Sequence, residues 1–349
     1  MSYPLIVVCR VTSACNLSCG FCAHDRRLPF ARTTLADASV ERLIELMANW
    51  RSRHSARQHA DNHIPLLSWL GGEPLLWRNW VQFSALARMR GLAVSATTNA
   101  TPLTSPAVRA QVLAHLDELT VSVDAVGTRH DTLRGWPGGY RRTLTALREL
   151  ADARAGSARQ LRLRVNIVLM RSTIDGFATL LGELADAGVD EISYNLLGGR
   201  DRPDFHAAES VAPEALERLL RQLPELRRRL AEAGVVLSGN DDYSARLLGA
   251  SRGLRWPVAD CAPGARFLFV DEAGRVAPCA FTAPEYGIAL DAIERLDELP
   301  ARFASARRTR RADACDDCPS TQVFGKFDHP ADVVDLHGED VAAGAGKWA

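Results

Sequence analysis

Three cysteines fall within eight positions in "SACNLSCGFCAH", at Cys15, Cys19 and Cys22, and no other stretch of the chain is built this way. Thiolates are soft metal ligands, so the cluster reads first as a metal site. A structural zinc needs four donors in a tetrahedron, and His24 is the nearest fourth. A thioredoxin-like redox pair explains two of the thiols and leaves the third without a task. Three thiolates on a four-iron cubane would leave one iron open to a substrate or cofactor, the arrangement a reaction centre needs. Four more cysteines, Cys261, Cys279, Cys315 and Cys318, lie far downstream and end in "CDDC". A zinc ribbon would use all four.

The elements that position these residues are legible from periodicity. The cysteine loop directly follows the β-branched run "LIVVCRVT" (5–12), and similar runs recur at 65–70, 92–98, 118–123, 161–170 and 190–197. Stretches of helical period lie between them, among them 35–50 with Asp37 near its start and 176–188 closed by Gly188. Strands alternating with crossover helices predict a parallel α/β sheet or open barrel. Ligands of such folds bind at the carboxyl ends of the strands, where the cysteine loop sits. The polar segment 51–63 reads as a surface loop or helix extension. A strongly helical stretch over 213–234 precedes a change of character near 240–258. From Cys261 a hairpin, "RFLFVDEAGRVAPCAF", is followed by a helix and the CDDC pair. The expected division is 1–240 for the barrel, 241–330 for a small second domain and 331–349 for a frayed tail.

Of the 349 residues, 47% are hydrophobic and 24% charged, enough apolar mass for a large core. Basic and acidic side chains balance at 42 each, which argues against nucleic acid or an anionic membrane as partner. Nearly all the basic residues are Arg; Lys326 and Lys347 are the exceptions, a compositional habit that by itself decides nothing about function. The N-terminus lacks the basic and apolar regions of a secretion signal, and no run reaches the ~18 apolar residues of a membrane span. The expected location is the cytoplasm, whose reducing conditions keep cysteines as thiols.

The spacing CxxxCxxC, with Phe21 before the third cysteine, resembles the signature of the radical S-adenosylmethionine superfamily. The resemblance implies that the open iron is chelated by the amino and carboxylate groups of S-adenosylmethionine, whose reductive cleavage gives a 5'-deoxyadenosyl radical. Two further matches follow in strand order. "GGEP" (Gly71, Gly72, Glu73, Pro74) resembles the family's glycine-rich turn beside the methionine amino group, where glycines permit close backbone approach. "SVDAVGTRHDTLRG" (122–135) resembles the fourth-strand segment of peptide-modifying members and maps Ser122 and Arg134 toward the cofactor carboxylate. Asn99, Asn166, Asn195 and Leu196 fall where the family contacts ribose or adenine, although each amide also suits a turn or a satisfied core position. The resemblance spans roughly residues 5–200 and implies a partial (β/α)6 barrel. The order Cys261, Gly274, Cys279, Cys315, Cys318 resembles a shortened SPASM domain, called Twitch, which holds one auxiliary 4Fe-4S cluster.

The implied activity is hydrogen-atom abstraction followed by oxidative modification or crosslinking of a ribosomally made peptide. A dehydrogenase or epimerase acting on an amino-sugar-type small molecule is the alternative, and a non-catalytic iron-sulfur electron carrier is the alternative of another class. A flavodoxin or ferredoxin would supply electrons. Asp124 is the candidate base, with turn capping as its competing duty, and loop geometry is the competing duty of Glu73. Asp241, Asp242 and Tyr243 could face substrate at the domain junction. Cys9 reads as a small core residue, with hydrogen donation to a substrate radical as the sharper reading.

Overall fold

The alternating run "LRLRVNIVLM" forms a strand whose two faces meet different surroundings. Leu163, Val165, Ile167 and Leu169 are buried against helices, while Arg162, Arg164, Asn166 and Val168 turn inward and are only part-buried. The same period-2 logic governs the sheet as a whole: apolar side chains face the helical layer and a mixed polar set faces a lumen.

The computed structural model describes residues 3–55, 64–156, 160–199 and 202–327. Its strands are β1 (Ile6–Thr12), β2 (Leu66–Gly71), β3 (Ala93–Thr98), β4 (Glu118–Ser122), β5 (Arg162–Leu169), β6 (Glu191–Leu196), β7 (Val236–Leu237), β8 (Phe267–Val270), β9 (Arg275–Ala277) and β10 (Ile288–Ala289). The helices between β1 and β6 are α1 (Asp37–Ser55), α2 (Trp80–Met89), α3 (Pro106–His115), α4 (Thr128–Arg134), α5 (Gly139–Ala155) and α6 (Phe177–Asp186). After β6 come α7 (Pro203–Glu209), α8 (Pro213–Glu232), α9 (Asp241–Ser251), α10 (Ala283–Tyr286) and α11 (Leu299–Thr309).

Strands β1 to β7 are parallel and ordered as in the sequence, and the six expected from periodicity lie within one residue of their expected ends. The sheet is nevertheless wider than six strands. β8 pairs in parallel with the free side of β1, from Ile6 opposite Phe267 to Cys9 opposite Val270, and β9 and β10 continue it antiparallel. A hairpin expected in a separate domain thus extends the barrel's own sheet. The physical reason is the edge of β1, whose unpaired N–H and C=O groups need covering. The turn between β8 and β9 is tight: Asp271 Oδ1 accepts from Ala273 N at 3.0 Å and Arg275 N at 2.9 Å, and Gly274 takes a φ of 76°.

The helical layer packs around one continuous core. α8 contributes Leu216, Leu219, Leu223, Leu226 and Leu230 at the spacing of an amphipathic helix. Cys9 is fully buried on the helix-facing side of β1, beside Val7 and Val11. It faces away from the lumen, so hydrogen donation to anything bound there is ruled out by direction. Residues 51–55 continue α1, while 56–63 and the expected frayed tail lie outside the described residues.

Candidate active site

The cysteine loop leaves the end of β1 and is clamped by the turn that leaves β2. Gly72 N donates to Thr12 O at 2.8 Å and Glu73 N to Ala14 O at 2.9 Å. A Cβ at Gly72 would overlap the Ala14 carbonyl and lie 2.8 Å from Cys15 N, and one at Gly71 would lie 2.7 Å from Thr12 O. These glycines therefore give room to the backbone that carries Cys15, a duty beyond the close approach of a ligand anticipated from sequence. Glu73 is fully buried. Its carboxylate accepts from Leu75 N (3.1 Å), Thr98 Oγ1 (2.8 Å) and Asn99 N (2.6 Å), which ties the β2 turn to the end of β3. Burial pushes Glu73 up to about 7 against the opposing effect of those donors. Pro74 opens the short helical turn that follows.

Asn99 extends the clamp to sulfur. Its Nδ2 lies 3.6 Å from Cys15 Sγ and 3.0 Å from Asn16 Oδ1, and its Oδ1 accepts from Thr101 N at 2.9 Å. Ala100 next to it holds a φ of 71°, a left-handed conformation that non-glycine residues adopt only where surroundings impose it. Cys22 Sγ accepts from His24 N at 3.3 Å, and Cys15 Sγ from Leu17 N at 3.5 Å.

Arg134 closes the other side. Cys19 Sγ lies 3.9 Å from its carbonyl, and its guanidinium carbon stands 5.4 Å from the centre of the Phe21 ring. The guanidinium is buried and paired with Asp124 Oδ2, at 2.8 Å from Nε and 2.6 Å from Nη2. Asp124 Oδ1 accepts from Val168 N at 3.0 Å. Both carboxylate oxygens of Asp124 are thus occupied and the side chain has no exposure. This corrects the expectation of a base at Asp124: the residue does not face the cavity but anchors Arg134 and the end of β5. Phe21 also meets Phe205 at 5.9 Å between ring centres, within an apolar patch that includes Leu133, Met170 and Leu197.

A cavity of about 960 Å³ fills the lumen. Inward residues of β1 to β6 line it, including Asn166 and Asn195, and so do all four downstream cysteines, Cys261, Cys279, Cys315 and Cys318. At its floor Arg164 meets Glu191 at 2.7 Å and Glu118 at 3.2 Å, and Arg162 meets Glu191 at 2.8 Å. Asn166 Oδ1 receives three donors: Ser193 Oγ (3.1 Å), Asn195 Nδ2 (2.9 Å) and Lys326 Nζ (2.8 Å). Lys326 was not singled out by sequence, and no local signal marks it. Ser122 is half-buried at the end of β4, level with Asn166 of β5, and Leu196 ends β6 against the core. Asp241 and Asp242 are exposed in the first turn of α9, and Tyr243 is buried with its hydroxyl donating to Tyr194 O at 2.5 Å, so none of the three faces the cavity.

Both thiol sets suit iron-sulfur clusters in donor chemistry. Within each set the sulfurs are near enough to affect one another's ionisation. No group of three His, Cys, Asp or Glu among the described residues closes on a single metal ion. Burial pushes Cys19 up to about 12 while Arg134 opposes the shift, and burial pushes Cys318 up to about 11 with neighbouring thiols adding to it. The CDDC loop is held by Arg246, which donates to Cys318 O at 2.9 Å, and by Arg311, which donates to Cys315 O at 2.7 Å.

A family model described as the radical SAM superfamily matches residues 9–175. The AdoMet-dependent heme synthase of Methanosarcina barkeri is 23% identical over 294 residues, covering 80% of this chain and 77% of that protein. The PqqA peptide cyclase of Xanthomonas euvesicatoria is 28% identical over 318 residues, covering 89% of this chain and 73% of that protein. Among solved structures, Streptococcus suis SuiB bound to S-adenosylmethionine superposes with a TM-score of 0.64 at 15% identity, over 93% of this chain and 72% of SuiB. SuiB bound to its precursor peptide SuiA superposes with a TM-score of 0.61 at 15% identity, over 93% of this chain and 71% of SuiB. The family match begins inside β1, the strand that delivers Cys15, Cys19 and Cys22. Over residues 9–175, which carry the first cysteine set and strands up to β5, the chain is thus similar to the radical SAM superfamily.

Proposed function

We propose that this enzyme oxidatively modifies or crosslinks a ribosomally made peptide held in the barrel cavity. The observation that carries the reading is that one cavity is shared by the lumen faces of β1 to β6 and by all four thiols of the second set. Likeness to a peptide cyclase over 89% of the chain supports the peptide class of substrate. Likeness to a heme synthase and to peptide cyclases over most of the chain favours an enzyme over the electron-carrier alternative.

Cys15, Cys19 and Cys22 would hold a 4Fe-4S cluster, with S-adenosylmethionine on its open iron. Bound together they would supply the one-electron chemistry that breaks an unactivated C–H bond, which no protein side chain provides. The chain's own residues bind and orient. Arg134, held by Asp124, and Ser122 would receive the cofactor carboxylate. Phe21, Asn99, Asn166, Asn195 and Leu196, with the Gly71 to Pro74 turn, would shape the rest of its pocket. Cys261, Cys279, Cys315 and Cys318 would hold an auxiliary 4Fe-4S cluster facing the same substrate, which favours net oxidation over simple hydrogen return. In this reading residues 1–240 form the catalytic barrel and 241–330 the auxiliary-cluster unit. A flavodoxin or ferredoxin supplies electrons in the cytoplasm. No helix among the described residues is long and apolar enough to cross a membrane.

The test is anaerobic reconstitution with iron, sulfide, reductant and S-adenosylmethionine. Formation of 5'-deoxyadenosine is expected, together with loss of two hydrogens from a precursor peptide by mass spectrometry. Cys15→Ala abolishes both, whereas Cys315→Ala retains nucleoside formation and loses the oxidised peptide. Absence of 5'-deoxyadenosine under strict anaerobiosis refutes the reading.

A further inference from the structure

Lys326 is one of two lysines in a chain with 42 basic residues. It follows the CDDC pair on a segment that returns over the barrel, and its side chain lines the cavity while only 7% exposed. Nζ lies 2.8 Å from Asn166 Oδ1 and 5.1 Å from the centre of the Phe327 ring. No carboxylate among the described residues comes within ion-pair distance of it. The carboxylates that line the lumen among the described residues, Glu118 on β4 and Glu191 on β6, are already committed to Arg162 and Arg164 of β5.

The bond that does hold Lys326 is contested. An amide oxygen offers two lone pairs, and Asn166 Oδ1 receives three donors. Ser193 Oγ also lies 3.4 Å from Val165 O and so has a second acceptor for its one proton, and Asn195 sits on β6, whereas the ammonium carries three protons on a flexible four-carbon stem and Asn166 Oδ1 accepts at most one of them. Lysine is therefore the donor free to turn to another acceptor. Its type matters as well. A guanidinium keeps its charge at any working pH, so a buried arginine with no partner would carry an uncompensated charge. A lysine can release its proton when the cavity is empty and regain it beside an anion. Burial, with Arg164 adding and Glu191 opposing, pulls Lys326 down to about 7.

We propose that Lys326 anchors a carboxylate of the peptide substrate inside the barrel cavity. The inference rests on the peptide reading above for its substrate class: the carboxylate is an acidic side chain or the peptide's C-terminus. Binding brings an acceptor to the donors that Asn166 cannot serve and gives the buried ammonium a counter-ion.

The presence of only two lysines makes the test direct. The full chain is labelled with 13C,15N-lysine, and the Lys326 signal is assigned by its loss in Lys326→Met, a substitution of similar length. N-acetylglutamate α-amide carries only a side-chain carboxylate, N-acetylalanine only a terminal one, and N-acetylglutamine amide none. The free protein is expected to titrate at Lys326 near about 7. One of the two carboxylate probes should move that midpoint upward, the neutral probe should not, and calorimetry should show its binding weakened roughly tenfold or more in Lys326→Met. Lys326→Gln, with its fold checked by circular dichroism, should reproduce the loss. The proposal is overturned if neither carboxylate probe moves the signal or if Lys326→Met binds as tightly. It is equally overturned if S-adenosylmethionine alone produces the shift and excludes the probes, because the anion is then the cofactor's. Peptide turnover with an unmoved lysine refutes the anchor alone. A responsive lysine in a protein that leaves peptides unmodified refutes the peptide reading alone.

Discussion

The backbone amide of Asn99 donates to the buried carboxylate of Glu73 at 2.6 Å, and the side chain of the same asparagine reaches Cys15 Sγ at 3.6 Å. Two strand ends and the cysteine loop are thereby joined through one residue pair.

Glu73→Gln replaces one of two acceptor oxygens with a donor, leaving Asn99 N or Thr98 Oγ1 without its partner. A buried donor left unsatisfied costs about 1–3 kcal/mol. The variant is expected to melt at lower temperature and to bind less iron at the first cysteine set. Unchanged melting and iron content would show that the carboxylate does not organise the loop.

Gly72→Ala places a methyl group in the Ala14 carbonyl. The neighbour is backbone and cannot turn aside, so the cysteine loop must shift. After reconstitution, iron should fall from about eight to about four per chain, because the second thiol set is untouched. Iron near the wild-type level would mean the loop tolerates the methyl group.

Asp124→Asn removes the counter-charge of buried Arg134. Breaking a buried pair by removing one partner costs about 3–5 kcal/mol, and denaturant unfolding should report a loss of that order. Wild-type stability combined with loss of product alone would restore Asp124 to the role of a base.

His130 gives the stability a pH dependence of known sign. Its Nδ1 accepts from Asp124 N at 3.2 Å, so the neutral ring carries its proton on Nε2. Burial, with Arg134 adding, lowers it from 6.5 to about 4. Between those values the unfolded chain binds a proton that the folded chain does not. The stability conferred by the neutral ring is fully present above pH 6.5 and is lost as pH falls toward about 4. Glu73, raised to about 7, acts with the opposite sign, because its ionisation on raising the pH disfavours the fold. The difference between wild type and His130→Gln therefore isolates the histidine. Urea midpoints should fall more steeply below pH 6.5 in wild type than in the variant, and parallel curves would refute the assignment.

By itself the sequence determined the strands β1 to β6 and the two thiol sets, because each is written in short-range regularities. Period 2 in "LRLRVNIVLM" and the spacing of Cys15, Cys19 and Cys22 need no knowledge of distant chain. The sequence also carried Gly72 and Arg134 as residues of interest through their neighbours in motifs. Tertiary structure alone decided what they touch. Asp124 reads locally as a strand-end carboxylate suited to capping a turn or to acting as a base, and only the turn of α4 that brings Arg134 back onto it shows that it is paired instead. Glu73 and Asn99 lie 26 positions apart and meet because neighbouring parallel strands end level. Lys326 stands 160 positions from Asn166, and nothing in "VFGKFD" indicates a buried ammonium. Backbone periodicity is a local property of the chain. The partner of a buried charge is set by which strand ends and returning segments the curved, open sheet brings together.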